Sequence, residues 1–165
     1  MWLLKKCWSE SITDFLHDRT CSKAYIEFQD LSGIGGTKVS GRWHTKGRPI
    51  VYLADWPVTS LLEVLVHLEL SIEELPESFT LLRVELPENA SVIDRRELLK
   101  DDWSQDVLAT RKVGDDWLQD ERSLLYRVPT AIVPANCNYL FNPAHPEAAG
   151  AKLSVFDFPV DKRLF

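Results

Sequence analysis

The stretch SGRWHTKGRPIVYLADWPVTSLLEVLVH, residues 40–67, reads as two short β-rich runs and then a helix. The runs are residues 38–43 and 49–54. The polar pentapeptide 44–48 separates them, and its Gly47 is free to take the positive φ of a tight loop. A hairpin of this kind sets Arg42 and Tyr52 on neighbouring strands with a shared face. Asp55 stands in a capping position, Pro57 suits the first helical turn, and no Gly or Pro interrupts the chain from Val58 to His67. At about 100° per residue, Val58, Leu61, Leu62, Leu65 and Leu68 line one side of the helix, and Glu63 lies on the far side between Thr59 and His67. A carboxylate on the polar side of an amphipathic helix is ordinarily solvated, so spacing alone gives Glu63 no chemistry.

The whole chain, 165 residues with 45% hydrophobic side chains, six Trp and seven Phe, has the length and apolar content of one ordinary domain. We therefore expect a single domain over residues 1–165, with residues 1–20 as an N-terminal extension or divergent start in which Ile12, Phe15 and Leu16 have helical spacing. A net charge of −6 argues against a general nucleic-acid binder, which neutralises phosphates with a basic surface. It leaves room for a local basic pocket from Lys38, Arg42, Lys46 and Arg48. Cys7, Cys21 and Cys137 are odd in number and lack metal-ligand spacing, so they read as reduced thiols. His17, His44, His67 and His145 form no ligand pattern, and no metal is expected. With no apolar run of membrane-spanning length and no signal peptide, a cytoplasmic location is expected.

Outward from the central stretch, residues 31–36, LSGIGG, form a glycine-rich loop that misses GxGxxG because Lys38 stands at the last glycine position. It is read as a loop that does not open a helix. No GxxxxGK[ST] occurs, so dinucleotide-fold and P-loop readings both fail. Residues 79–86 alternate like a strand ended by Pro87. Residues 124–128 and 131–133 are strand-like on either side of Pro129-Thr130, and residues 153–158 read as a last strand. A helix is expected to begin near Gly114, with Trp103 and Trp117 as core anchors. Residues 138–143 and the proline-flanked His145 read as a loop.

Three blocks, GRWHTKGRPIVYLADWP, SLLEVLVHLE and RVPTAIVPANCNYLFNPAHPE, stand in this order along the chain. Together they resemble the RES-domain family, small toxins of toxin–antitoxin pairs named for an arginine, a glutamate and a serine. The resemblance runs from about residue 31 to the C-terminus. It implies an α+β fold like that of ADP-ribosyltransferases, with a split, mostly antiparallel sheet flanked by helices. It also implies cleavage of NAD+ at the nicotinamide–ribose bond, with inorganic phosphate, water or a protein taking the ADP-ribose.

By the same resemblance the site residues are Arg42, Tyr52, Glu63 and, in the serine's place, Thr130, all four in both catalysis and NAD+ binding. Threonine keeps the hydroxyl but adds a methyl and stiffens χ1. The family's N-terminal Trp-Arg or Tyr-Arg pair has no match here, since neither Lys23-Ala24-Tyr25 nor Leu4-Lys5 supplies the arginine. The implied partner is a cognate Xre-type helix-turn-helix antitoxin that plugs the cleft and carries the DNA binding, with a homodimer of the toxin in the complex.

The chemistry suits these residue types. Loss of nicotinamide builds positive charge at the anomeric carbon, as in glycoside cleavage, and a carboxylate stabilises it. A guanidinium fork matches two phosphate oxygens at once. A tyrosine stacks on a flat ring or donates its hydroxyl, and Thr130 offers a hydroxyl to a phosphate or ribose. His67, one turn beyond Glu63, is placed to hydrogen-bond it or to make an ordinary i,i+4 pair. Two alternatives stay open beside NAD+ degradation: mono-ADP-ribosylation of a protein, and a degenerate NAD- or antitoxin-binding module without turnover.

Overall fold

The computed structural model describes residues 1–4, 30–66, 78–99, 101–133, 135–159 and 161. The expected helix in residues 1–20 beyond residue 4, Lys23-Ala24-Tyr25, Cys7, Cys21, His17, His67 and Leu68 lie outside the described residues.

One seven-stranded sheet organises the molecule, in the order β4-β5-β6-β2-β1-β3-β7. Its strands are β1 (Trp2–Leu4), β2 (Val51–Ala54), β3 (Ser78–Glu85), β4 (Val92–Asp94), β5 (Leu125–Pro129), β6 (Cys137–Phe141) and β7 (Lys152–Pro159). All neighbours run antiparallel except β4 and β5. The expected α+β class and mostly antiparallel sheet are present. The split falls between β2 and β1, which meet at the single register pair Trp2↔Ala54, against eight pairs between β3 and β7. The chain opens with an interior strand of the sheet, β1, and the helical spacing of Ile12, Phe15 and Leu16 lies outside the described residues.

Register fixes which side chains share a face. One rung runs Val128↔Asn138↔Ala54 across β5, β6 and β2, and the next runs Tyr126↔Leu140↔Tyr52. Alternation keeps both rungs on one face. Two helices cover that face. Helix α2 (Pro57–Leu65) packs Leu61 and Val64 on Phe79 and Leu81 of β3. Helix α3 (Val107–Asp120) packs Trp117 and Leu118 on Tyr126, Val128 and Leu140. On the opposite face Val51, Leu53, Val84, Leu125 and Phe141 bury themselves with Leu31 and Ala148. Among the described residues no helix is long and apolar enough to cross a membrane.

Several expectations about local structure change. Residues 38–43 are not a strand: Ile34–Lys38 form the short helix α1, entered from Gly33 at φ 68°, and residues 39–50 are a long loop. The glycine segment therefore does lead into a helix, although Lys38 still breaks the dinucleotide pattern. Gly47 takes φ 101° as expected. Trp56, not Asp55, is the N-cap of α2, with Pro57 in its first turn.

Helix α3 starts at Val107, capped by the Asp106 carboxylate on the Ala109 amide, and Gly114 lies in its middle. A Cβ at Gly114 would stand 1.8 Å from the Trp43 carbonyl oxygen, so glycine there serves helix-to-loop contact rather than helix initiation. Of residues 138–143, read as loop, 138–141 belong to β6 (Cys137–Phe141), and residues 131–133 form no strand. Burial on both faces overrides composition at β6.

Candidate active site

The loop of residues 39–50 wraps around one hydroxyl. Tyr52 Oη accepts the Trp43 amide at 3.1 Å and lies 2.8 Å from His44 Nδ1. His44 Nε2 is 3.0 Å from the Val39 carbonyl, which can only accept, so Nε2 carries the proton and Nδ1 accepts from Tyr52. Burial holds the His44 pKa down, favouring this neutral form, and burial pushes the Tyr52 phenol up. Gly41 is required beside them, because its Cβ would stand 2.6 Å from Tyr52 Oη. Helix α3 clamps the same loop: Thr110 Oγ1 donates to the Arg42 carbonyl at 2.8 Å and Arg111 Nε to the Gly41 carbonyl at 2.7 Å.

Arg42 is therefore a loop residue, joined to Tyr52 through the Trp43 amide and not across a hairpin. Its Nη1 donates to the Ser104 carbonyl at 2.8 Å, and its guanidinium lies 5.9 Å from the centre of the Trp103 ring. Trp103 in turn stacks on the buried Trp43 at 5.6 Å. Trp103, expected as a core anchor, is thus a half-buried platform under the arginine, whereas Trp117 is buried and donates to Ser123. Of the expected basic pocket, Arg48 is paired with Asp115 at 3.1 Å.

Glu63 reaches the sheet from α2. Its Oε1 accepts from Asn138 Nδ2 at 2.7 Å, and among the described residues Oε2 takes no hydrogen bond or ion pair. The polar side of α2 is not simply solvated: Thr59 is buried and accepts from Asn136 at 3.2 Å, while Val58, expected on the apolar side, is exposed. Asn138 sits diagonally beside Tyr52 on the same sheet face, two strand positions apart in register. Tyr52 and the amide that holds Glu63 thus share one patch, with Arg42 at the rim of the Tyr52 loop.

Thr130 comes directly after the end of β5, buried, and its hydroxyl closes a turn. Oγ1 donates to the Val133 carbonyl at 2.8 Å and accepts the Val133 amide at 2.9 Å, while the Thr130 amide donates to the Asn136 carbonyl at 3.3 Å. His145 accepts the Glu147 amide as the N-cap of the 3-10 helix Pro146–Gly150.

Three contributors escape a reading of the sequence: His44, Asn136 and Asn138. Asn138 alternates with Leu140 on β6, but its segment reads as loop, so no strand signal in the sequence flags its half-buried amide. Nothing local names Glu63 as its partner, 75 positions away.

The family model of the RES domain matches residues 17–162. A protein of Pseudomonas putida named "Toxin Res" is 50% identical over 84% of this chain and 94% of its own length. A second "Toxin Res", from Photorhabdus laumondii, is 37% identical over 90% of this chain and 96% of its own length. A Sphingobium protein named "Prs ADP-ribosylating toxin" is 35% identical over 85% of this chain and 88% of its own length.

Proposed function

Because the chain belongs to the RES domain family, we propose that it is an enzymatic toxin that cleaves NAD+ at the nicotinamide–ribose bond. The observation that carries this reading is the Glu63 carboxylate. One oxygen is fixed by Asn138 and the other has no partner among the described residues, on the sheet face that presents Tyr52.

In this reading the C–N bond breaks with its electron pair leaving on the nicotinamide nitrogen, and positive charge builds at the anomeric carbon. The second Glu63 oxygen stabilises that charge or holds a ribose hydroxyl. Phosphate or water then bonds to the anomeric carbon, releasing a proton to solvent. Arg42 spends one N–H on Ser104 and offers its others to the pyrophosphate, over the Trp103 ring. Tyr52 contributes its ring, because its hydroxyl is committed to His44 and Trp43. Thr130 contributes by holding the turn ahead of β6. An Xre-type helix-turn-helix antitoxin covering this face is the partner in the same reading, with the toxin as a homodimer within the complex.

The test is intracellular NAD+ after induced expression of the wild type, Arg42→Ala and Glu63→Ala, with soluble protein confirmed. NAD+ loss confined to the wild type supports the reading, and loss in all three removes Arg42 and Glu63 from the mechanism. Unchanged NAD+ in all three overturns NAD+ degradation. A second reading, transfer of ADP-ribose to a protein, is favoured by the name of the Sphingobium relative. Radiolabelled NAD+ with cell lysate separates the two, since label entering protein supports transfer and label confined to small molecules supports degradation.

A further inference from the structure

Resting on that reading, we propose that Asn138 is the positioning residue for Glu63, and that the turn closed by Thr130 holds the asparagine segment in register. Two side-chain amides, one just before β6 and one within it, reach two residues one turn apart on α2: Asn136 to Thr59 at 3.2 Å and Asn138 to Glu63 at 2.7 Å. This pair of contacts ties the helix carrying the carboxylate to the strand beside Tyr52. Residue 136 is in turn held from behind, by the Thr130 amide on its carbonyl.

The carboxylate accepts only, so the Asn138 nitrogen must face it and its oxygen must face away. That oxygen is buried without a hydrogen-bond partner among the described residues. Leaving a buried acceptor unpaired is costly, and an apolar side chain would avoid the cost. The amide is thus retained at this position for what its other end does, which is to fix one oxygen of Glu63 and aim the second.

The experiment measures NAD+ turnover and thermal melting for wild type, Asn138→Ala and Asn138→Asp. Alanine removes the donor. Aspartate keeps the shape but sets a second carboxylate against Glu63. A positioning role predicts kcat lowered about tenfold to a hundredfold in Asn138→Ala, the scale expected for a misplaced reacting group, with KM for NAD+ moved far less. It also predicts that Asn138→Asp is the slower of the two. A packing role predicts the opposite order, with the isosteric aspartate nearer to wild type, and that order overturns the proposal. So does wild-type kcat in both variants. If either variant fails to fold, Asn138→Ser decides, because its shorter side chain cannot make the 2.7 Å contact from the same position: folded protein with kcat lowered and KM for NAD+ little moved supports the proposal, and wild-type kcat overturns it. A wild type that leaves NAD+ intact instead overturns the function on which this role rests.

Discussion

The Tyr52 hydroxyl is shared between two parts of one loop: it donates to His44 Nδ1 at 2.8 Å and accepts from the Trp43 amide at 3.1 Å. Arg42 sits immediately before that amide and the histidine ring closes on the Val39 carbonyl, so one side chain of β2 sets the path of residues 39–44. A loop without strand pairing needs such an anchor to place a guanidinium reproducibly.

Removing the hydroxyl alone therefore loosens the loop. Tyr52→Phe keeps the ring in its cluster but leaves the Trp43 amide and His44 Nδ1 without their partner. We expect a loss of about 1–3 kcal/mol from two unmade bonds in a half-buried setting. Urea unfolding measures it, and an unchanged midpoint would show that the loop is held by α3 instead.

His44 gives the same anchor a pH dependence. Burial lowers its folded pKa below the unfolded value near 6.5, so between those two values the unfolded chain binds the extra proton. Stability therefore rises with pH through that window, is fully present above about 6.5, and is lost as pH falls toward the folded pKa. Protonation also turns Nδ1 into a donor facing a hydroxyl that already accepts from Trp43. Unfolding free energies measured from about pH 5 to neutral should show a shallower slope in His44→Gln than in the wild type. Equal slopes would remove His44 from the acid response.

Much of the scaffold was legible because local signals and tertiary demands agree. Pro57 and the leucine spacing announce α2, alternation before Pro87 announces β3, and alternation near the C-terminus announces β7. Misreadings arise where a distant contact decides. Gly114 looks like a helix start, yet it is the small residue that lets the Trp43 carbonyl approach mid-helix. Residues 138–141 look like loop, yet pairing with both β5 and β2 makes them part of an interior strand. The family blocks name Arg42, Tyr52, Glu63 and Thr130. Their hydrogen-bond partners come from segments whose approach is visible only in three dimensions.

The contact at Gly114 gives a sharp comparison. Gly114→Ala drives a methyl into the Trp43 carbonyl, which α3 and the loop can relieve only by moving apart. We expect about 1–3 kcal/mol of destabilisation from overpacking, despite alanine's better helix propensity. Gly35→Ala, with nothing within 4 Å of the added Cβ, should leave the melting temperature unchanged or raised. Thermal melts of the two variants side by side check this, and equal behaviour would mean that the Trp43 contact is soft.

Thr130 allows the turn's work to be separated from the methyl's. The hydroxyl bonds both the carbonyl and the amide of Val133, and its methyl stands in a buried position. Thr130→Ser keeps both bonds and gives up one buried methyl, about 0.8 kcal/mol. Thr130→Val keeps the volume but leaves the Val133 amide without its acceptor, about 1–3 kcal/mol. If the turn acts on the site by holding Asn136 and Asn138, valine should also slow NAD+ turnover while serine stays near wild type. A hydroxyl that instead met the substrate directly would also favour serine over valine, so the variants are to be compared with Asn138→Ala in a double-mutant cycle. Action through the asparagines predicts that adding Thr130→Val to Asn138→Ala costs little further activity, because the two lie on one chain of contacts. Fully additive losses would mean that Thr130 reaches the reaction by a route of its own.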